Sequence, residues 1–286
     1  MTQKLKIDLS RVLFFLILPA LFFTSCKNIK TESKTEFSGL RIISLAPSIT
    51  KELIYLGVEE NIVGATNYCD ISKDSPDLVV GSAIDINIEK ILLLKPDVVF
   101  ASTLTKPSNI ETLKENGLQV YQLGKMSSFK NICDEFLAIG KLVEKEKVAI
   151  SIIKKANQTI DSLKLSIQHR DKQSVFFQIG AKPLFAVIPN TYMEDLIIYA
   201  NCENILFDLE HGTVTRESVL KRNPDVIFVA TMGIVGEEEK NIWESYGDIN
   251  AARNNKVFII DSNTACTPSV IAFTETLTQM VHYIYN

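Results

Sequence analysis

The stretch IEKILLLKPDVVF at residues 88–100 recurs, with the same pattern, as RESVLKRNPDVIF at residues 216–228. In each copy a glutamate, Glu89 or Glu217, stands seven residues before a Pro-Asp pair that opens a run of β-branched residues. Proline is tolerated at the first position of a strand, and it disfavours helix in the residue before it. Both copies therefore predict a helix that stops abruptly and passes directly into a strand.

Short β-branched runs and helical patterns also alternate on either side of the two joints, from residue 40 onwards. Such alternation favours an α/β fold with parallel sheets. A second pair of related stretches, ELIYLGVEENI at 52–62 and DLIIYANCENI at 195–205, occurs in the same order. Two matched pairs predict two related, Rossmann-like α/β lobes that face each other across a cleft, which is a common place for a ligand.

A long amphipathic pattern separates the two lobes and contains neither glycine nor proline over most of its length. Its apolar positions recur every three or four residues, at Val148, Ile152, Ala156, Ile160, Leu163 and Ile167. Helices in globular proteins average about 11–12 residues, so this one is long. It is either a simple packing helix or a stiff connector. We assign 40–142 to the first lobe, 143–171 to a connecting helix and 172–286 to the second lobe.

Residues 1–25 have the composition of a targeting segment. Lys4, Lys6 and Arg11 precede a run of twelve apolar residues at 12–23, which has the length of a signal-peptide core and is too short to span a membrane comfortably. The polar residues that follow, KNIKTESKTEFSG, lack apolar periodicity, and 26–39 is predicted to be a flexible tether. The mature protein is therefore expected outside the cytoplasm, in the cell envelope.

Composition excludes several classes of function. The 286 residues carry a net charge of only -4, which provides no basic surface for nucleic acid. The spacing of Cys69, Cys133, Cys202 and Cys266 fits no zinc pattern, and free buried thiols are expected. No phosphate-binding loop, dinucleotide fingerprint or nucleophile elbow is evident, so neither catalysis nor a resident cofactor is predicted. The acidic run VGEEEK at 235–240 is interpreted as a solvated loop.

The repeated glutamates have two possible explanations. A negative charge in the first turn of a helix is favoured by the helix dipole, by about 0.3–1 kcal/mol. Alternatively, Glu89 and Glu217 contact something outside the chain, because the folding argument accounts for the proline, the aspartate and the apolar run without them.

Four segments in this order resemble the substrate-binding proteins of ABC importers for vitamin B12, iron-siderophores and haem. They are RIISLAPSITKELIYLG (41–57), IEKILLLKPDVVFA (88–101), LQVYQL (118–123) and AARNNKVFIID (251–261). The sequence FTSC at 23–26 similarly resembles a bacterial lipobox, although an ordinary signal peptide is the alternative. The resemblance implies two α/β lobes joined by one rigid helix, a lipid anchor on Cys26, and a monomer that delivers a metal chelate to a permease dimer. It also implies that Glu89 and Glu217 dock onto basic residues of that dimer, one per subunit.

The resemblance further implies which residues contact the ligand: Ser48, Tyr68, Ser102, Phe185, His211, and Cys266 in a loop at 262–267. The resemblance places Ala83, Ser102 and His211 at positions that hold tryptophan in B12 binders. Without those tryptophans no single ligand is indicated, so the ligand is expected only to be a large metal chelate. Cys69, His211 and Met232 could ligate a metal, but simpler packing roles explain them and no metal site is predicted. The alternatives are an envelope cofactor-handling protein or enzyme on the same fold, and an assembly lipoprotein with a filled cleft.

Overall fold

The N-terminal lobe is built on four parallel strands in the order β2-β1-β3-β4. Its geometry comes from a computed structural model that describes residues 39–230 and 236–286. The strands are β1 (Ile42–Ser44), β2 (Ile62–Ala65), β3 (Val98–Ala101) and β4 (Val120–Gln122). The helices are α1 (Pro47–Tyr55), α2 (Ile71–Asp74), α3 (Ile88–Leu93), α4 (Pro107–Glu115) and α5 (Phe129–Leu142).

The C-terminal lobe repeats this plan around a longer first strand, β5 (Gln173–Ala181). This strand pairs in parallel with β7 and β8, and in antiparallel with β6, while β9 pairs with β8. The other strands are β6 (Leu184–Ala186), β7 (Cys202–Asn204), β8 (Val226–Val229) and β9 (Val257–Ile259). The expected α/β architecture with two lobes is confirmed.

A single long helix, α6 (Glu146–Ile167), connects the lobes. It is shorter than the predicted range 143–171 because Glu144 adopts a φ of 58°, which a right-handed helix cannot include. The remaining helices belong to the C-terminal lobe: α7 (Tyr192–Tyr199), α8 (Arg216–Arg222), α9 (Gly236–Ser245), α10 (Asn250–Arg253), α11 (Ser262–Ala265) and α12 (Val270–Tyr285). Helix α6 packs against α5 of the first lobe and α12 of the second.

Alternate residues of the central strands face different cores. In β3, Val98 and Phe100 point into a core that extends through both lobes, whereas Val99 and Ala101 point into a core of the N-terminal lobe alone. Strand β8 divides its residues in the same way. This period of two explains why both strands are apolar throughout, since each is buried on both faces.

The two repeated joints begin with the same cap. The side chain of Asn87 accepts a hydrogen bond from the backbone N–H of Lys90, and the side chain of Thr215 accepts one from Ser218. Each cap satisfies one of the free N–H groups at the start of its helix. Helix α3 and helix α8 therefore start at equivalent positions for the same reason.

The joints also end alike. Lys95 and Asn223, the residues before the prolines, adopt left-handed backbone angles, with φ of 46° and 48°. The aspartate after each proline then clamps the neighbouring strand: Asp97 accepts from the N–H of Arg41 at 2.6 Å, and Asp225 accepts from the N–H of Ser174 at 3.0 Å. In both lobes the proline thus follows a left-handed residue that ends the helix, and the aspartate accepts a backbone N–H of the neighbouring strand.

Two local predictions are wrong. Residues 236–240 do not form a solvated loop, because α9 begins at Gly236 and the carboxylate of Glu239 is buried against Arg216; Val235 lies outside the described residues. The segment 262–267 is helical over Ser262–Ala265, with Asp261 as its cap. The predictions for the signal peptide, for Cys26 and for Met232 fall outside the described residues. Within the described ranges, no helix is long and apolar enough to cross a membrane.

Candidate functional site

The predicted ligand residues of the first lobe follow the carboxyl ends of its parallel strands. Ser48 lies in the first turn of α1, directly after β1, while Tyr68 comes three residues after β2 and Ser102 comes directly after β3. Loops at this edge of a parallel sheet form the usual binding crevice of open α/β folds. Ser102 has a local role as well, since its hydroxyl accepts the backbone N–H of Leu104.

Large apolar side chains are exposed on these same loops. Tyr68 is 68% exposed, Leu104 is 64% exposed and Ile84 is 51% exposed. The backbone N–H of Asn67 bonds to the carbonyl of Gly81, so the loop with Tyr68 lies beside the loop with Ile84. We call Tyr68, Ile84 and Leu104 the apolar rim. Exposed apolar groups clustered at one edge of a fold indicate a contact surface.

Sequence reasoning missed two members of this rim. Leu104 and Ile84 are single apolar residues within polar, turn-forming segments, ASTLTKP and GSAIDIN. Isolated apolar residues in loops were the available signal, because such residues have no place in a neighbouring core. They were not singled out, since their exposure depends on where the two loops fold.

In the second lobe the structure places Phe185 beside the segment that follows His211. Phe185 lies in β6, is 40% exposed and pairs with Thr213 in an isolated bridge. Gly212 lies so close to the Phe185 ring that an added Cβ would be 2.8 Å from it. A side chain at position 212 would therefore displace the ring, so Gly212 allows this segment to pass close to Phe185, while His211 itself is exposed.

The cysteines are packing residues in the described structure. Cys69 is fully buried, and Thr50 donates a hydrogen bond to its sulfur at 3.1 Å. Burial raises the pKa of Cys133 to about 12, and burial raises the pKa of Cys202 and Cys266 to about 11. Protonated, buried thiols are poor nucleophiles and poor metal ligands. These four cysteines form no disulfide in the described structure, but Cys266 is only partly buried and not buried as predicted.

The floor between the lobes consists of direct contacts. Lys51 in α1 donates to the carbonyl of Asn263 in α11 at 3.0 Å. Behind it, the carboxylate of Glu52 accepts the backbone N–H of Val270, the first residue of α12, at 3.3 Å. Phe129 stacks on Phe273 at 4.3 Å between ring centres. These contacts fix the two lobes against each other below the strand ends.

Across the cleft, Ser48, Tyr68 and Ser102 make no hydrogen bond or ring contact with Phe185, His211 or Cys266 among the residues described. Each set belongs to one lobe. In the described part of the chain, no three His, Cys, Asp or Glu side chains are grouped closely enough to hold a metal ion.

The repeated glutamates are both exposed. Glu89 and Glu217 occupy the second position of α3 and α8, and among the residues described neither forms an ion pair. Their side chains contribute nothing to the caps, which Asn87 and Thr215 supply. Two carboxylates at matching places on two matching lobes are thus available to a partner.

The comparison with known proteins agrees with this arrangement. A sequence profile of the family described as periplasmic binding protein matches residues 42–264. The chain belongs to the periplasmic binding protein family. The match begins at β1 and ends within α11, so it covers the sheets of both lobes of this periplasmic binding protein but not α12.

Individual relatives are similar over nearly the same length. The chain is 27% identical over 255 residues to the uncharacterized ABC transporter substrate-binding lipoprotein YvrC of Bacillus subtilis, covering 85% of this chain and 80% of that protein. It is 25% identical over 233 residues to the vitamin B12-binding protein of Vibrio campbellii, covering 80% and 84%. The crystal structure of a possible iron-binding (periplasmic solute-binding) protein from Staphylococcus epidermidis superposes with a TM-score of 0.73 at 27% identity, covering 87% of this periplasmic binding protein and 99% of that chain.

Proposed function

We propose that this protein is the substrate-binding component of an ABC importer. It captures a metal chelate, of the class formed by cobalamin, haem and ferric siderophores, and delivers it to a permease dimer. The observation that carries the proposal is the pair of exposed glutamates at matched joints, one on each lobe of a periplasmic binding protein. Folding does not require a glutamate at both joints. A symmetric partner that contacts both lobes at once explains why the glutamate is repeated.

The apolar rim supports the choice of ligand class. Tyr68, Ile84 and Leu104 offer an exposed apolar surface on one lobe, and Phe185 offers an aromatic ring on the other. Large chelates such as corrinoids and porphyrins have wide, flat, apolar faces that pack well on such side chains. The relatives named as binding vitamin B12 or iron are consistent with this class.

The role of Cys26 is also a proposal. A cysteine after a short apolar segment and before a polar tether supports processing to a lipoprotein, and the name of the B. subtilis relative includes the same feature. Several acyl chains on one residue would anchor the protein stably, whereas one chain would bind only marginally. We expect Cys26→Ser to release the protein from the membrane fraction of its host, and retention of that variant would contradict the anchor.

Thermal unfolding tests the binding role directly. Purified protein lacking residues 1–25 is melted with cyanocobalamin, haemin or a ferric hydroxamate. A ligand at about 100 times its Kd adds about 2.7 kcal/mol to the free energy of unfolding. We expect a rise in Tm of about 5 °C or more with one of the three.

A matched pair of variants makes the test specific to the cleft. Leu104→Asp places a charge on the apolar rim and should reduce the ligand-induced rise in Tm. Leu93→Asp is the control, because Leu93 is 80% exposed at the far end of α3, away from the strand carboxyl ends. No rise in Tm with any of the three compounds would count against the proposal, as would an equal effect of both variants.

A further inference from the structure

The residue before each repeated glutamate differs between the lobes. In the first lobe it is Ile88, which is partly buried and packs against the lobe's own apolar core. In the second lobe the equivalent residue is Arg216, whose side chain is only 25% exposed. One joint is therefore anchored by an apolar contact and the other by a charged group, although their caps, backbone angles and aspartate clamps match.

Arg216 is held by a buried polar network. Its Nη2 donates to Oε2 of Glu239 at 2.5 Å, and its guanidinium carbon lies 4.7 Å from the centre of the Trp243 ring. The same Glu239 oxygen accepts a hydrogen bond from Nε2 of Gln178 at 2.7 Å, and Oε1 of Gln178 accepts the indole N–H of Trp243 at 2.7 Å. Gln178 and Trp243 are fully buried, and Glu239 is 3% exposed.

The network joins three elements beneath Glu217. Gln178 belongs to β5, Glu239 and Trp243 belong to α9, and Arg216 is the first residue of α8. A buried carboxylate is stable only while it is paired and hydrogen-bonded, so the Glu239 charge requires the Arg216 guanidinium. The position of the first turn of α8 is thereby tied to α9 and to the sheet.

We propose that Arg216 is a positioning residue for docking. Its ion pair with Glu239 holds the first turn of α8 in place, so that the carboxylate of Glu217 is presented in one orientation to a basic surface of the permease. This inference rests on the proposed function, because it assigns Glu217 a partner. Ile88 performs the same task for Glu89 through apolar packing, which leaves the second lobe alone dependent on a buried charge pair.

Uptake by cells that carry single variants of this protein tests the inference, with radiolabelled cyanocobalamin, haemin or a ferric hydroxamate as the probe. We expect Arg216→Gln to lower uptake at least about tenfold, as a misplaced docking group lowers productive association. The ligand-induced rise in Tm should stay unchanged, since the cleft is not altered. Hydrogen exchange at the backbone amides of residues 217–220 should be faster in Arg216→Gln than in the wild type. In the control variant, Arg222→Gln, the exchange rate should equal that of the wild type.

The control is Arg222→Gln on the same helix. Arg222 forms an ion pair with Asp208 at 2.7 Å, at the opposite end of α8 from Glu217. Breaking that pair should leave uptake within about twofold of the wild type, since it lies outside the first turn that the inference concerns. If the control lowers uptake as much as Arg216→Gln does, the effect is general destabilisation of α8 and the inference is overturned.

Glu239→Gln is a second, milder variant in case Arg216→Gln fails to fold, since it removes the charge and keeps the shape. A fall in uptake with normal ligand binding supports the inference, and wild-type uptake overturns it.

Glu217→Ala separates this inference from the proposed function. If Glu217→Ala has no effect on uptake, docking through Glu217 is itself wrong. If it abolishes uptake while Arg216→Gln and Glu239→Gln do not, only the inference is wrong.

Discussion

Glu52 is a buried acid at the contact between the lobes. Its side chain is 4% exposed, one oxygen accepts the backbone N–H of Val270, and the other has no partner among the described residues. Burial raises the pKa of Glu52 to about 8, against a smaller opposite effect of the Val270 hydrogen bond. Tyr55 on the same helix and Cys133 on α5 lie within reach of its charge, and burial raises the pKa of each. Glu52 is therefore neutral at pH 7.

We expect stability to fall as the pH rises through the neutral range. The folded state retains the Glu52 proton up to about pH 8, whereas the unfolded chain releases it near pH 4.5. The unfolded state thus binds fewer protons between these values, so the free energy of unfolding decreases with rising pH, by about 5 kcal/mol in total. Urea denaturation at a series of pH values between pH 5 and pH 9 would give the free energy of unfolding at each pH, and hence this slope.

Glu52→Gln should remove most of that slope, because glutamine cannot ionise. Glu60→Gln, at an exposed position after α1, is the control and should leave the slope unchanged. A wild-type protein that is equally stable at both ends of the range would show that Glu52 is ionised in the folded state.

The aspartates of the two joints differ in the number of hydrogen bonds that their carboxylates accept. Asp97 is exposed and accepts one backbone N–H, whereas Asp225 is half-buried and accepts from the N–H and hydroxyl of Ser174 and from the side chain of Asn250. Burial raises the pKa of Asp225, but these three hydrogen bonds outweigh it and hold the pKa below its usual value. Asp225 therefore stabilises the fold in its ionised form.

Asp225→Ala should destabilise the protein by about 2–3 kcal/mol and Asp97→Ala by about 1 kcal/mol, because hydrogen bonds to a charged group are the stronger kind and leave more donors unpaired when lost. Chemical denaturation at pH 7 measures both. Equal losses at the two sites would mean that the extra bonds of Asp225 contribute nothing.

Among the elements, α6 is the piece that the two lobes share. Ala156, Ile160 and Ile167 on one side of it are buried in the core that extends through both lobes, while Leu165 is 64% exposed. A helix of 22 residues has most of its stability from such packing rather than from intrinsic propensity. The predicted apolar face packs from Ile152 to Ile167, but Val148 is 39% exposed and Ala149 is buried in its place.

Ile160→Ala should lower the free energy of unfolding by about 2–5 kcal/mol, because it opens a cavity where α6 meets α5 and α12. Leu165→Ala, on the exposed side of the same helix, should change it by less than about 0.5 kcal/mol. Denaturation midpoints of the two variants give the comparison directly. Similar losses from both would indicate that α6 is not packed as described.

At the scale of the whole molecule, each of the two lobes presents an exposed carboxylate at a matching position. Glu89 and Glu217 stand on equivalent helices, so a partner with two-fold symmetry can contact both with the same basic residues. Exposed ion pairs contribute little affinity in water, but they set orientation and association rate.

The double variant Glu89→Lys, Glu217→Lys should abolish uptake of the ligand by cells, because each lobe would then repel a basic surface. Its ligand-induced rise in Tm should equal that of the wild type, since neither residue lies in the cleft. Glu111→Lys with Asp248→Lys, at exposed positions that form no ion pair among the described residues, controls for the change in net charge. Unchanged uptake by the first double variant would return both glutamates to the helix-dipole explanation.

The amino-acid sequence by itself determined the alternation of strands and helices, the two lobes and the helix between them. These features depend on local rules: residue periodicity, the restriction that proline imposes before itself, and the repetition of whole joints. Helix α9, with its buried Glu239, was missed for the same reason, since the run EEE indicates solvent unless the partner is known. That partner, Arg216, is distant along the chain and adjacent only in the fold.

Only the tertiary structure decided which side chains share an environment. Glu52 is one acid among many in the sequence, and its neutral state follows from burial between α1 and α12. Ile84, Leu104 and Tyr68 form a rim because their three loops contact one another: Asn67 bonds to Gly81, and Lys106 forms an ion pair with Asp85. Contacts between residues far apart in the chain depend on packing, and no local pattern encodes them.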